Sequence, residues 1–152
     1  SQAFKQIAPI VPESVALTSF SILLARSKGA FETYTDGIRH LDGLNDGDRV
    51  LMLESCTHHP TCEDIGHVKI PKMLQEYTRK KLEFVYSSSL DDLPDLTTIA
   101  LAIQCGGCMV TRRQILTRIK KIVRAGIPVA NYGMTISYIT GIYKRAISPV
   151  YR

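Results

Sequence analysis

The chain has 152 residues, of which 45% are hydrophobic and 22% are charged, and its net charge is +5 from 19 basic and 14 acidic residues. This length suits one compact domain with its own core. No apolar run approaches the roughly 20 residues that a membrane-spanning helix needs, and no secretory leader pattern is present. We therefore expect a cytoplasmic protein with no membrane partner. The moderate charge does not require nucleic acid, and we predict none as a partner.

The first third of the chain is predicted to be helical and then to enter a sheet. Residues 8–14 contain Pro9 and Pro12 and read as a linker, so residues 1–16 are assigned to a linker or the tail of a preceding domain. Residues 17–152 form the main domain. Apolar residues at helical spacing predict helix across residues 21–44, with possible breaks at Gly29 and Gly37. Turn residues at 45–48 precede a short apolar run, residues 49–55, which predicts a buried strand.

The rest of the chain alternates between helix and strand patterns. Three further strands are predicted at residues 83–88, 98–104 and 128–132. Helices are predicted at residues 70–81, 111–125 and 135–147. This alternation is typical of an α/β, Rossmann-like fold with about four mostly parallel strands and helices on both faces of the sheet. We predict the strand order 2-1-3-4, although residues 90–96 leave room for only a short crossover between strands 2 and 3.

Three cysteines follow two of these strands. Cys56 comes directly after the first strand, and Cys105 and Cys108 come directly after the third. In the predicted order these strands are neighbours, and the chain direction reverses between them. Ligands of open α/β sheets bind beyond the carboxyl ends of the strands at such a switch point. The sequence therefore predicts that the three thiols share one site.

The C-x-x-C pair formed by Cys105 and Cys108 suits zinc, an iron–sulfur cluster or a disulfide. Gly106 and Gly107 between them permit positive φ angles and a close approach of backbone N–H groups to an inorganic core. Residues 111–114, Thr-Arg-Arg-Gln, fit a capping box at the start of the next helix. The positive end of that helix would favour thiolates and an anionic cluster.

The residues alone leave alternatives open. Cys56, His58, Cys105 and Cys108 would make a complete zinc site of three cysteines and one histidine, as in a zinc-stabilised interaction domain. Cys105 and Cys108 alone would serve a thiol–disulfide oxidoreductase. Cys62 is either a spare ligand or a structural thiol. No P-loop and no hydrolytic constellation is visible, so we expect no catalytic residues and no enzyme activity in this chain.

Several segments resemble one family, the FeFe-hydrogenase maturation GTPase and scaffold HydF, in its C-terminal iron–sulfur domain. The resemblance covers about residues 9–152 and is carried by Cys56-Thr57-His58-His59, residues 64–71, Cys105-Gly106-Gly107-Cys108, Asn131-Tyr132-Gly133 and residues 18–29. It implies a 4Fe–4S cluster bound by Cys56, Cys105 and Cys108. Three thiolates leave one iron without a cysteine, and His58, two residues after Cys56, is the nearest candidate for a fourth ligand. Gln104 stands where many members of the family have histidine.

The resemblance also implies a function. A HydF-like domain would hold a di-iron precursor made by radical-SAM maturation enzymes and deliver it to apo FeFe-hydrogenase. GTP would bind only to a separate domain that this chain lacks. Residues 1–16 would be the tail of a dimerisation domain, and the full-length protein would form a homodimer or a higher oligomer.

Overall fold

The computed structural model describes residues 2–55, 65–88 and 91–151, without the side chains of residues 2, 3 and 5. Three predicted candidates, Cys56, His58 and Cys62, and the motif residue His59 lie outside these ranges. The strands are β1 (Arg49–Glu54), β2 (Glu83–Ser88), β3 (Ile99–Gln104) and β4 (Val129–Asn131). The α-helices in the described ranges are α1 (Gln2–Ile7), α2 (Phe20–Ser27), α3 (Phe31–Ile38), α4 (Ile70–Thr78), α5 (Arg112–Arg124), α6 (Tyr132–Ile139) and α7 (Tyr143–Ile147).

The four strands form one parallel sheet in the order β2-β1-β3-β4, so the predicted fold class and strand order are confirmed. Near the carboxyl edge Leu53 lies opposite Ser87 on one side and Gln104 on the other, and Gln104 lies opposite Asn131. The residues from Val50 to Leu53 are fully buried. A central strand covered on both faces reads as a continuous apolar run, which is why the sequence identified it.

The short crossover between β2 and β3 contains no α-helix within residues 91–98. Its described part ends in a 3-10 turn, Leu96–Thr98, that is capped by the Asp95 carboxylate. The backbone N–H of Thr97 donates to that carboxylate over 3.0 Å. This capped turn leads directly into β3.

Two helical predictions were wrong in detail. Gly37 does not break the helix but lies inside α3, whereas Gly29, with φ +76°, ends α2 as predicted. Residues 135–147 are not one helix, because α6 begins earlier and Gly141, with φ +77°, separates it from α7. The early start of α6 comes from Asn131, whose side-chain oxygen accepts from the N–H groups of Gly133 (2.9 Å) and Met134 (3.3 Å).

The N-terminal segment packs on the same core as the sheet. Phe4 and Ala8 are both buried there. The guanidinium of Arg145 in α7 donates to the carbonyl oxygen of Ala8, to that of Val11 (2.7 Å) and to that of Pro12 (2.8 Å). Residues 8–12 are thus fixed to the domain by one side chain, in addition to the apolar contacts.

The described ranges contain no helix with both the length and the apolar character that crossing a bilayer requires.

A close backbone approach between α3 and β4 gives a testable prediction. A Cβ at Gly37 would lie 2.0 Å from the carbonyl oxygen of Val129 in β4, so α3 packs on β4 only because position 37 has no side chain. We expect Gly37→Ala to lower the free energy of unfolding by about 2 kcal/mol or more, since the helix must move away from the strand. Urea denaturation measures this difference.

The matched control is Gly43→Ala, because a Cβ there would meet no atom within 4 Å. We expect that change to stay within about 0.5 kcal/mol of the parent protein. Equal stability of the two variants would contradict the proposed close packing of α3 on β4.

Candidate functional site

Cys105 lies at the carboxyl edge of the sheet, one residue beyond β3, and is 8% exposed. Its N–H donates to the carbonyl oxygen of Leu53 over 2.9 Å, which extends the β1–β3 pairing past the end of the strand. Its Sγ accepts from the backbone N–H of Ser55 at 3.1 Å. This N–H contact fixes the position of the sulfur at the end of the sheet.

Gln104 joins the ends of β1 and β3. Its side chain is 1% exposed, and its Nε2 donates to Ser55 Oγ at 2.9 Å and to the carbonyl oxygen of Leu53 at 3.3 Å. The same nitrogen lies 3.5 Å from Cys105 Sγ. Gln104 therefore supports the cysteine at this edge through hydrogen bonds to both strand ends.

The loop from Cys105 to Cys108 is shaped by one glycine rather than two. Gly107 has φ +64°, and a Cβ there would lie 2.3 Å from Cδ1 of Ile115 in α5. Gly106 has no positive φ, so only Gly107 uses the conformational freedom that the sequence permits at both positions. The loop brings Cys108 to the surface, where it is exposed, while Cys105 stays buried.

Helix α5 begins shortly after Cys108 with the predicted capping box. The Thr111 side chain accepts from the backbone N–H of Gln114 at 3.3 Å, and the Gln114 side chain accepts from the N–H of Thr111 at 2.8 Å. The first turn of α5 is fixed next to the cysteine loop in this way. Its positive end is therefore close in sequence and in space to the two cysteines.

Arg118, two turns further along α5, interacts electrostatically with Cys105. Burial lowers the pKa of the Arg118 guanidinium, while the nearby Asp91 and Cys105 act in the opposite direction. The guanidinium donates to the hydroxyl of Ser87 at the end of β2. Within the described part of the chain, its Nε and Nη1 are buried and have no hydrogen-bond partner. A partly buried cation thus lies near the cysteine without full compensation by other groups.

Tyr34 in α3 lies within electrostatic range of Cys105. Burial, as the main cause, and the charge of Cys105 both raise the pKa of the Tyr34 hydroxyl. Tyr34 is only 2% exposed and remains neutral at physiological pH.

Sequence reasoning missed a contact between Glu54 and His67 at the same edge. Glu54, the last residue of β1, accepts from His67 Nε2 at 2.6 Å. The His67 ring stacks on Tyr86 of β2, with centroids 4.0 Å apart and planes 8° apart. Because Glu54 ends a central strand, the rule that ligands bind at strand carboxyl ends could have identified it. Nothing in the spacing indicated its pairing with His67.

The described residues contain only part of the predicted ligand set. Cys105 and Cys108 lie on one loop, whereas Cys56, His58 and Cys62 fall outside residues 2–55, 65–88 and 91–151. Within those ranges no three histidine, cysteine or acidic side chains are grouped in a way that could hold a metal ion. The assignment of Cys56, Cys105, Cys108 and His58 as ligands stays a prediction.

Two family models match the sequence. The hydrogen maturase F tetramerization domain matches residues 32–149, and the hydrogen maturase F dimerization domain matches residues 1–29. A search of curated proteins gives no match to this sequence. Both matched domains are described by self-association rather than by catalysis, and the family name connects the chain to hydrogenase maturation. Since the first model alone covers most of the residues, the chain belongs to the hydrogen maturase F family, HydF, and includes its tetramerization domain.

Proposed function

We propose that Cys56, Cys105 and Cys108 bind a 4Fe–4S cluster and that the chain acts as a scaffold and carrier in FeFe-hydrogenase maturation. In this role it holds a di-iron precursor as cargo, receives it from radical-SAM maturation enzymes and releases it to apo-hydrogenase. The oligomerization domains supply a homo-oligomeric frame for that exchange. The chain itself contributes ligands and a binding surface rather than a catalytic group.

One hydrogen bond carries the proposal. Ser55, whose backbone N–H donates to Cys105 Sγ at 3.1 Å, is bonded covalently to Cys56. The residue directly before Cys56 in sequence therefore contacts the sulfur of Cys105. This contact supports a ligand set shared by cysteines that are 49 residues apart in sequence.

The charges around Cys105 favour an anionic group. Arg118 is partly buried, and two of its nitrogens lack a hydrogen-bond partner among the described residues. A partly buried cation that Asp91 and Ser87 compensate only in part is costly, and a nearby cluster with thiolate ligands would offset that cost. When bound, the cluster would supply an iron centre at the sheet edge to which the cargo can attach.

The different exposure of the two loop cysteines also fits a carrier. Cys105 is buried and would fix one side of the cluster to the sheet, whereas Cys108 is exposed. A cluster held between them would lie at the protein surface rather than in the core. Surface access is necessary for a carrier, since both the enzymes that make the precursor and the hydrogenase that takes it must reach the cargo.

The proposal predicts which cysteines are necessary. Replacing Cys56, Cys105 or Cys108 by Ser should abolish or strongly reduce iron incorporation on anaerobic reconstitution, because serine is a poor ligand for this type of cluster. The sheet should remain folded, since its core does not depend on the metal. Iron and sulfide analysis together with circular dichroism measures both effects.

The matched control is Cys62→Ser, which should keep the cluster. Loss of iron in this control with retention in Cys56→Ser would show that the ligand assignment is wrong. Parent protein that takes up zinc but no iron would instead support a zinc-stabilised interaction domain. Colourless, metal-free protein with a reversible Cys105–Cys108 disulfide would support an oxidoreductase.

A second prediction concerns the iron that has no cysteine ligand. Neutral imidazole is a competent ligand, and His58 follows Cys56 by two residues. We expect His58→Ala to keep a 4Fe–4S cluster and to change its electron paramagnetic resonance spectrum or its response to added imidazole. His59→Ala is the neighbouring control and should behave like the parent. A parent cluster that responds to no added ligand would contradict an exchangeable iron site and weaken the carrier proposal.

A further inference from the structure

The C-terminal end of α2 contacts the cysteine loop through hydrogen bonds from Lys28. The Lys28 ammonium group donates to the carbonyl oxygen of Gly107 and to that of Val110, the latter at 2.6 Å. These two carbonyls flank Cys108, so a single side chain bridges both ends of the turn that carries this cysteine. Lys28 is 79 and 82 residues away from its two partners in sequence.

Lys28 is itself fixed by the way α2 ends. The helix finishes in a Schellman motif, with Gly29 at φ +76°. The N–H of Gly29 donates to Arg26 over 3.1 Å, and that of Ala30 donates to Ala25 over 3.1 Å. Lys28 directly precedes this glycine, so its backbone has little freedom. Its ammonium group is therefore directed to the loop by an ordered helix end.

Two more contacts join the same turn to the cysteine loop and to α5. Leu24 Cδ1 approaches Gly106 so closely that a Cβ there would lie 3.8 Å away. On the other side, Arg112 of α5 packs over Gly29, where a Cβ would lie 2.8 Å from its Nη2. The end of α2 thus contacts the cysteine loop on both sides of Cys108, at Gly106 and Gly107 before it and at Val110 after it.

We propose that Lys28 is a positioning residue for the cluster, fixing the Cys105–Cys108 loop and placing a positive charge beside it. This inference rests on the proposed function. The ammonium group favours the more negative, reduced state of a nearby cluster, and its hydrogen bonds hold Cys108 in a geometry that suits a ligand.

The position of Lys28 in the chain gives this contact a second meaning. Residues 1–29 match the dimerization domain of the family, and the loop lies in the part that matches the tetramerization domain. Lys28 is therefore a direct contact between the end of the first domain and the cysteine loop of the second. A displacement of α2 would therefore change the hydrogen bonds that Lys28 donates to Gly107 and Val110. The sheet would not need to move for this change to reach the cysteine loop.

The test compares Lys28→Met, Lys28→Arg and the control Lys120→Met, which removes one exposed positive charge from α5. In protein without metal, we expect amide hydrogen exchange in residues 106–110 to be about tenfold faster in Lys28→Met, as expected for the loss of hydrogen bonds to a charged group. In reconstituted protein, the same variant should lose iron to a chelator faster and show a more negative midpoint potential. In Lys28→Arg, which keeps the positive charge, the loop exchange rate, the rate of iron loss and the midpoint potential should stay close to those of the parent. Lys120→Met should change none of these three quantities.

Unchanged loop exchange in Lys28→Met would overturn the inference. Faster exchange with unchanged potential and unchanged iron loss would also overturn it, because Lys28 would then hold the loop without acting on the cluster. If the parent protein takes up no iron, the proposed function fails. The exchange measurement on metal-free protein would still show whether Lys28 fixes the loop.

Discussion

The pairing of β1 with β3 is the constraint on which the rest of the site depends. The ladder continues past both strands, since Cys105 donates to Leu53 and Ser55 donates to the Cys105 sulfur. Side chains alternate between the two faces of a strand, so a shift of this register by one residue would turn Cys105 to the opposite face of the sheet. Gln104, at the end of β3, donates to Leu53 and Ser55 at the end of β1. These hydrogen bonds stabilise the register next to Cys105, where a shift would displace the thiol.

The sequence was sufficient to predict the sheet and the start of α5. Short apolar runs between turn signals gave the strands, and the Thr111–Gln114 spacing gave the capping box. Such features depend on local sequence and on the burial of a central strand. The contacts of Lys28 and of His67 could not be predicted, because each joins segments distant in sequence and leaves no periodic signal. Gly37 was misread because its role is set by a neighbouring backbone rather than by its own helix.

The segments that resemble the family do not all serve the same purpose. Asn131 and Gly133 lie in one of these motifs, yet the structure uses them for packing. Asn131 caps α6, and a Cβ at Gly133 would lie 1.7 Å from Ser21 Oγ, so this glycine lets α2 approach α6. Cys105, in contrast, lies at the sheet edge, where its sulfur accepts from the backbone N–H of Ser55. Likeness in sequence therefore combines residues that shape the fold with residues that are proposed to bind the cluster.

The shared core of the N-terminal segment and the sheet has a practical consequence for dividing the protein. The two family matches meet near residue 30, yet Phe4, Ile22 and Ala25 on one side of that boundary are buried in the same core as the sheet. A truncated protein that began at residue 32 would therefore expose an apolar surface that α2 now covers. Such a piece would tend to aggregate through that surface, and its apparent self-association would not report on the natural assembly.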